Sequence, residues 1–141
     1  MSTEENKAIV RRFWEEFNKK NLAVVDELYA ANFVFHRAGM EDIRGSEGLK
    51  QYLATALTAF PDFHYTVEDM VAEGDKVVVR LTGTGTHQGE FQGIAPTGKQ
   101  VTLTATQVHR LVGGKFVETW AVADMLGLMQ QLGAIPTPGQ G

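Results

Sequence analysis

The sequence predicts a single α+β domain in which N-terminal helices pack on a curved antiparallel sheet and enclose an apolar pocket. Three observations carry this. Up to Pro61 the apolar residues recur at helical spacing, and beyond it they alternate with period two. The second half is punctuated by tight-turn signals, Gly74-Asp75 and Gly113-Gly114, which make its strands sequential hairpins. Gly83 and Gly85 fall inside a long strand, where glycine marks a bulge or sharp bend. A bent sheet covered by helices on one face contains a hollow, the usual place for a ligand.

The elements follow in order. Ile9, Val10, Phe13, Trp14 and Phe17 form one stripe of a first helix, opened by the capping-box spacing of Ser2 and Glu5. Asn18 to Asn21 breaks the pattern, and a short second helix carries Leu22, Val25, Leu28 and Tyr29. Phe33 to His36 reads as a brief strand. Ser46 is placed to cap a third helix with the apolar face Leu49, Tyr52, Leu53, Ala56, Leu57 and Phe60, ended by Pro61. Strands are expected over His64–Glu73, Lys76–His87, Lys99–Val112 and Lys115–Asp124, with a Gly/Pro-punctuated loop from Gln88 to Gly98. Met125 to Leu132 is short, apolar and helix-compatible. Residues 1–133 are expected to form one domain and 134–141 a flexible tail.

Composition bounds the function. With 141 residues, 43% of them hydrophobic and 21% charged, the chain has the size and balance of one globular domain. The absence of cysteine removes disulfides, thiolate nucleophiles and zinc ribbons. The formal charge is −4, and Arg11, Arg12, Lys19 and Lys20 share a helix with Glu15 and Glu16, a mixed solvated face unlike a nucleic-acid stripe. Met1 to Lys7 does not resemble a signal peptide and no apolar run reaches membrane-spanning length, so a cytoplasmic protein with neither nucleic-acid nor membrane partner is expected. His36, His64, His87 and His109 show no metal-ligand spacing, and no metal is expected. Gly83-Thr84-Gly85 is not followed by a helix and is no nucleotide loop.

Asp124 is the most informative single residue. It shares strand parity with Trp120 and Val122. A carboxylate on a tryptophan-bearing face either lines an apolar cavity, where its raised pKa suits a general base, or caps the helix that follows. Gln107 and His109 share parity on the neighbouring strand and are placed to polarise a carbonyl beside such a base.

The stretch Gly85-Thr86-His87-Gln88-Gly89-Glu90-Phe91-Gln92-Gly93-Ile94-Ala95-Pro96-Thr97-Gly98 resembles the signature loop of the SnoaL-like polyketide cyclases, with Ala95 where proline is usual. Gly114, Lys115, Glu118, Trp120 and Asp124 match the family's downstream pattern, and Glu5 to Ala8 and Phe33 to His36 resemble its opening helix and first strand. The resemblance runs from Met1 to about Gly133. It implies the cone-shaped α+β barrel of the nuclear transport factor two-like fold, and an aspartate at Asp124 that abstracts a proton so that an enolate closes a ring by intramolecular aldol condensation, without cofactor or metal. His109 departs from relatives, which commonly carry an aromatic residue there. On this basis Asp124, His109 and Gln107 are the expected catalytic residues, and Trp120, His36, His87, Trp14, Phe17 and Phe91 the expected pocket residues. The expected ligand is a small apolar carbonyl compound. A homodimer through the Thr-rich sheet face (Thr82, Thr84, Thr102, Thr104) is also implied. Hydrolysis or isomerisation on the same fold, and ligand binding without turnover, are the alternatives.

Overall fold

The computed structural model describes residues 1–136. Most of the expected tail, residues 134–141, lies outside the described residues. Two helices open the chain, α1 (Thr3–Asn18) and α2 (Val24–Leu28), followed by strand β1 (Tyr29–Arg37), the short β2 (Ile43–Arg44) and helix α3 (Ser46–Ala59). Strands β3 (His64–Glu73), β4 (Lys76–Thr86), β5 (Gln100–Val112) and β6 (Lys115–Ala123) follow, and α4 (Met125–Gln131) closes the described chain. The six strands form one sheet in the order β2-β1-β6-β5-β4-β3.

Strands β3 to β6 make the expected antiparallel meander, but β1 pairs with β6 in parallel. Alternation along a strand fixes which side chains share a face and carries nothing about strand direction, so this pairing has no signature in the sequence.

Helix α1 begins as its sequence dictates. The Ser2 hydroxyl accepts from the Glu5 amide, and the Glu5 carboxylate accepts from the Ser2 amide, each at 3.1 Å. Its buried face, Val10, Phe13, Trp14 and Phe17, covers the sheet, with Phe13 edge-on to the stacked pair Tyr29 and Phe116 (ring centres 4.3 Å apart). Each such aromatic contributes about 1.5–3 kcal/mol through burial. Helix α3 starts one residue earlier than its hydroxyl suggests. Gly45, at φ +83°, is the cap residue and donates its amide to the Phe33 carbonyl, while Ser46 is the first helical residue and makes no side-chain cap.

The glycines of β4 serve a purpose other than bending. Register is continuous through Gly83 on both sides of the strand and through Gly85 on the β5 side. A methyl group on Gly83 would lie 2.5 Å from the Phe63 ring, and one on Gly85 would lie 2.7 Å from it. Phe63 therefore lies flat on the strand because both positions lack a side chain. The register shifts sit elsewhere, between Tyr29 and Val34 of β1, between Val67 and Asp69 of β3, and where Arg110–Leu111 of β5 meets Phe116–Glu118 of β6.

Strand β5 extends past the end of β6, and α4 covers the edge left over. The Gln131 amide group accepts from the Thr102 N–H (2.7 Å) and donates to the Thr102 carbonyl (2.8 Å), as a paired strand would. Among the described residues no helix is long and apolar enough to cross a membrane.

Candidate functional site

Between α3, the sheet and the loop after β4 lies a cavity of about 240 Å³. Its walls are apolar, with Leu53, Phe60 and Phe63 on one side and Leu103, Met125 and Leu128 on the other. Arg37, Met40, Glu90 and Gln92 supply its polar and exposed lining. Tyr52, Leu53 and Tyr65 also line a deeper chamber of about 40 Å³, which Trp14, Gln107, His109 and Thr119 complete.

The chamber owes its polar residues to strand parity. Val101, Leu103, Ala105, Gln107 and His109 share the inner face of β5. Across the ladder Gln107 faces Ala121 and His109 faces Thr119. The His109 ring is buried with its Nδ1 2.7 Å from the Thr119 hydroxyl, and burial pushes its pKa down to about 3. It is therefore a neutral imidazole at physiological pH. Its Nε2, like the indole N–H of Trp14, is buried with no hydrogen-bond partner among the described residues. An unpaired buried polar atom costs about 1–3 kcal/mol, so two of them on one small chamber are the mark of a place built for a polar ligand atom or ordered water. Tyr29 and Tyr65 stay phenols, since burial pushes both hydroxyls further above their ordinary range.

The other expected site residues are distributed over three environments. Phe17 and Phe91 line the larger cavity and Trp14 the deeper chamber. His87 is buried behind Phe60 (ring centres 5.4 Å apart) and is not among the cavity walls. The backbone N–H of Thr97 donates to its Nδ1 at 3.2 Å, which ties down the loop that bears Phe91.

Trp120 and His36 are not among the residues lining the pocket, contrary to expectation, and of the two readings of Asp124 the structure places it as a helix cap outside the pocket. The reason is the irregularity in the β5–β6 pair. Leu111 faces Phe116 and Arg110 faces Glu118, which leaves Val117 as an extra residue on β6. Phe116 points inward, but after the extra residue the inward set becomes Thr119, Ala121 and Ala123, and Trp120 (38% exposed) and Val122 (62% exposed) turn outward. Asp124 follows them as the N-cap of α4, exposed, its Oδ1 accepting from the Gly127 N–H at 2.9 Å. Gly127 is what makes that seat possible, because a Cβ there would lie 2.2 Å from Oδ2. His36 stacks on Trp120 (5.5 Å) on the outer face, its Nε2 2.6 Å from Glu118 and its Nδ1 3.1 Å from Asp42. The bond to Glu118 raises its pKa, desolvation opposes it, and the bond to Asp42 adds a lesser rise.

Sequence reasoning did not single out Arg37, Tyr65 or Phe63 for the site. Tyr65 and Phe63 carry the apolar signal of the core, and nothing in the pattern of β1 sets Arg37 apart. Among the described residues no group of three His, Asp or Glu side chains is placed to hold a metal ion.

Helices closed over one face of a strongly curved six-stranded sheet, with an apolar hollow and a polar inner end, define the cone-shaped nuclear transport factor two-like class. Residues 8–132 match the family described as SnoaL-like polyketide cyclase, and the chain belongs to that family. AclR from Streptomyces galilaeus, a candidate hydroxylase, is 33% identical, with 96% of this chain and 85% of that one covered at a TM-score of 0.88. IdmH from Streptomyces antibioticus, a candidate polyketide cyclase, is 32% identical over 91% of this chain and 98% of that one, with a TM-score of 0.80. A SnoaL-like candidate cyclase from Jannaschia sp. CCS1 is 26% identical over 95% of each chain, with a TM-score of 0.87. No curated protein matches the chain.

Proposed function

We propose that this protein is a polyketide-cyclase-like enzyme that carries out cofactor-independent intramolecular aldol cyclisation, or related proton transfer, on a small apolar carbonyl compound. The observation that carries it is the apolar cavity beside a small chamber lined by Trp14, His109 and Gln107, with the Trp14 Nε1 and His109 Nε2 buried and unpartnered among the described residues. A carbonyl oxygen seated there accepts from the indole N–H and the Gln107 amide. Donors fixed in a water-poor site stabilise the negative charge of a forming enolate without reorganising. His109, being neutral, serves as a hydrogen-bond partner and not as a store of protons. Size limits the substrate. About 240 Å³ exceeds the ~150 Å³ that admits benzene and falls below the ~300 Å³ at which drug-sized sites begin, so a body of one or two rings fits the hollow as it stands.

The base in this reading is Asp124, assigned through its family pattern. Its neighbour Met125 lines the cavity, so the carboxylate reaches a substrate only by leaving the Gly127 N–H. Asp124→Asn tests this cleanly, because asparagine caps a helix as well as aspartate does. Loss of turnover by about 10² or more, with unchanged stability and ligand binding, is expected of a lost general base. An unchanged rate sinks the assignment.

A second reading, a small-molecule binding module, is favoured by the exposed capping position of Asp124 itself. Ligand-dependent thermal stabilisation of the protein with no turnover would establish it. In either case we propose a homodimer through the outer sheet face, where Thr82, Thr84, Thr102 and Thr104 lie on β4 and β5 beyond Val122.

A further inference from the structure

The lining of the larger cavity carries a charge that the cyclisation reading leaves unused. Arg37 ends β1 and sits there beside Met40 and Tyr52. Its Nε and Nη2 donate to the Glu41 carbonyl at 3.2 and 2.8 Å, and its Nη1 to the Met40 sulfur at 3.6 Å. Its guanidinium carbon lies 5.1 Å from the centre of the Tyr52 ring. All of these partners are neutral. Arg12, Arg44, Arg80 and Arg110 each meet a carboxylate, but among the described residues none lies within 4.0 Å of Arg37. Glu90 also lines the cavity without forming an ion pair to it. The guanidinium is thus held in place by a carbonyl, a thioether and an aromatic face. Two of its five N–H groups remain uncommitted, in a protein whose net charge is −4.

We propose that the ligand of this cavity is an organic acid, its apolar one- or two-ring body inside and its ionised carboxylate on Arg37. This rests on the cavity being the ligand site, and it narrows the substrate from carbonyl compounds in general to a free acid in preference to its ester. A planar guanidinium with two free donors matches a carboxylate in geometry and charge, whereas an ester offers it one weak neutral acceptor. Tyr52 lines both the cavity and the inner chamber, so a molecule anchored at Arg37 extends toward Gln107 and His109.

Calorimetric titration of the whole chain with 2-naphthoate and with methyl 2-naphthoate tests this, in the wild type and in Arg37→Gln. The acid should bind the wild type at least about tenfold more tightly than the ester, with a preference that shrinks as salt is added. Arg37→Gln should weaken the acid by a similar factor and leave the ester within about twofold, which also shows that the variant is folded. The proposal is overturned if the ester binds the wild type as tightly as the acid, or if Arg37→Gln weakens both equally. In those cases the cavity remains a ligand site. If neither compound binds, the cyclase reading falls together with this one.

Discussion

Two histidines, one on each face of the same sheet, show how far environment decides chemistry here. His109 lies on the inner face of β5 among aromatic side chains, and burial alone drives its pKa down to about 3. His36 lies on the outer face of β1 between two carboxylates, and their hydrogen bonds raise its pKa. Around them the faces differ in kind. Inside are Phe116, Tyr29 and Trp14, with polar atoms that have no protein partner. Outside, polar groups are paired with one another: His36 with Glu118 and Asp42, Arg110 with Glu118, and Arg80 with Asp69. A face whose polar groups satisfy each other has little left to offer a ligand, and one whose buried donors are open does.

The strongest way to break this contrast is to remove side chains from either face of β6. Phe116 is fully buried and stacks on Tyr29, so Phe116→Ala should cost about 3–5 kcal/mol of unfolding free energy. Val122→Ala, on the outer face, should stay within about 0.5 kcal/mol. Urea unfolding of the two variants checks both. A large loss at Val122 would mean that β6 does not switch phase at Val117.

That switch explains what was legible in the sequence and what was not. The order of helices and strands, the first capping box, the hairpins and the inward pair Gln107 and His109 follow from periodicity and turn chemistry, because these are local. The direction of β1 against β6 depends on a partner more than eighty residues away and leaves no local mark. Counting by twos along Phe116, Glu118, Trp120, Val122 and Asp124 puts all five on one face. One extra residue in the ladder moves the last four to the other, and with them the carboxylate proposed as the base. Gly83 and Gly85 illustrate the same limit: their composition announces an exception, but only Phe63 resting on them tells which. Arg37 could not be found from sequence, since an arginine at a strand end is ordinary until its neighbours prove neutral.

The next test uses the acid limb of stability. His109 takes up a proton in the unfolded chain below its ordinary pKa of 6.5 but resists it in the native state down to about 3. The unfolded state thus binds more protons in this window, and stability falls as pH is lowered from about 6.5 towards 3. His109→Gln cannot titrate, so the slope of unfolding free energy against pH should flatten over that range, even if the variant is less stable at neutral pH. A slope identical to that of the wild type would mean that the buried ring already carries its proton.

His36 should give a smaller effect of opposite sign. Its folded pKa is raised above 6.5, so its stabilisation is fully present below that value and is lost as pH rises through the folded pKa. The partners facing it are Asp42 from the β1–β2 turn and Glu118 from β6, with Arg110 of β5 sharing Glu118 and Arg44 of β2 sharing Asp42. The bond to His36 holds the Glu118 carboxyl below its usual range, so within this window the imidazolium sets the sign. The side chain is partly exposed, which screens the interaction, and added salt should reduce it further. His36→Gln should remove the downward drift in stability just above pH 6.5. If the drift persisted in the variant, His36 would not be its source, and the contrast between the two faces of the sheet would have to be given up.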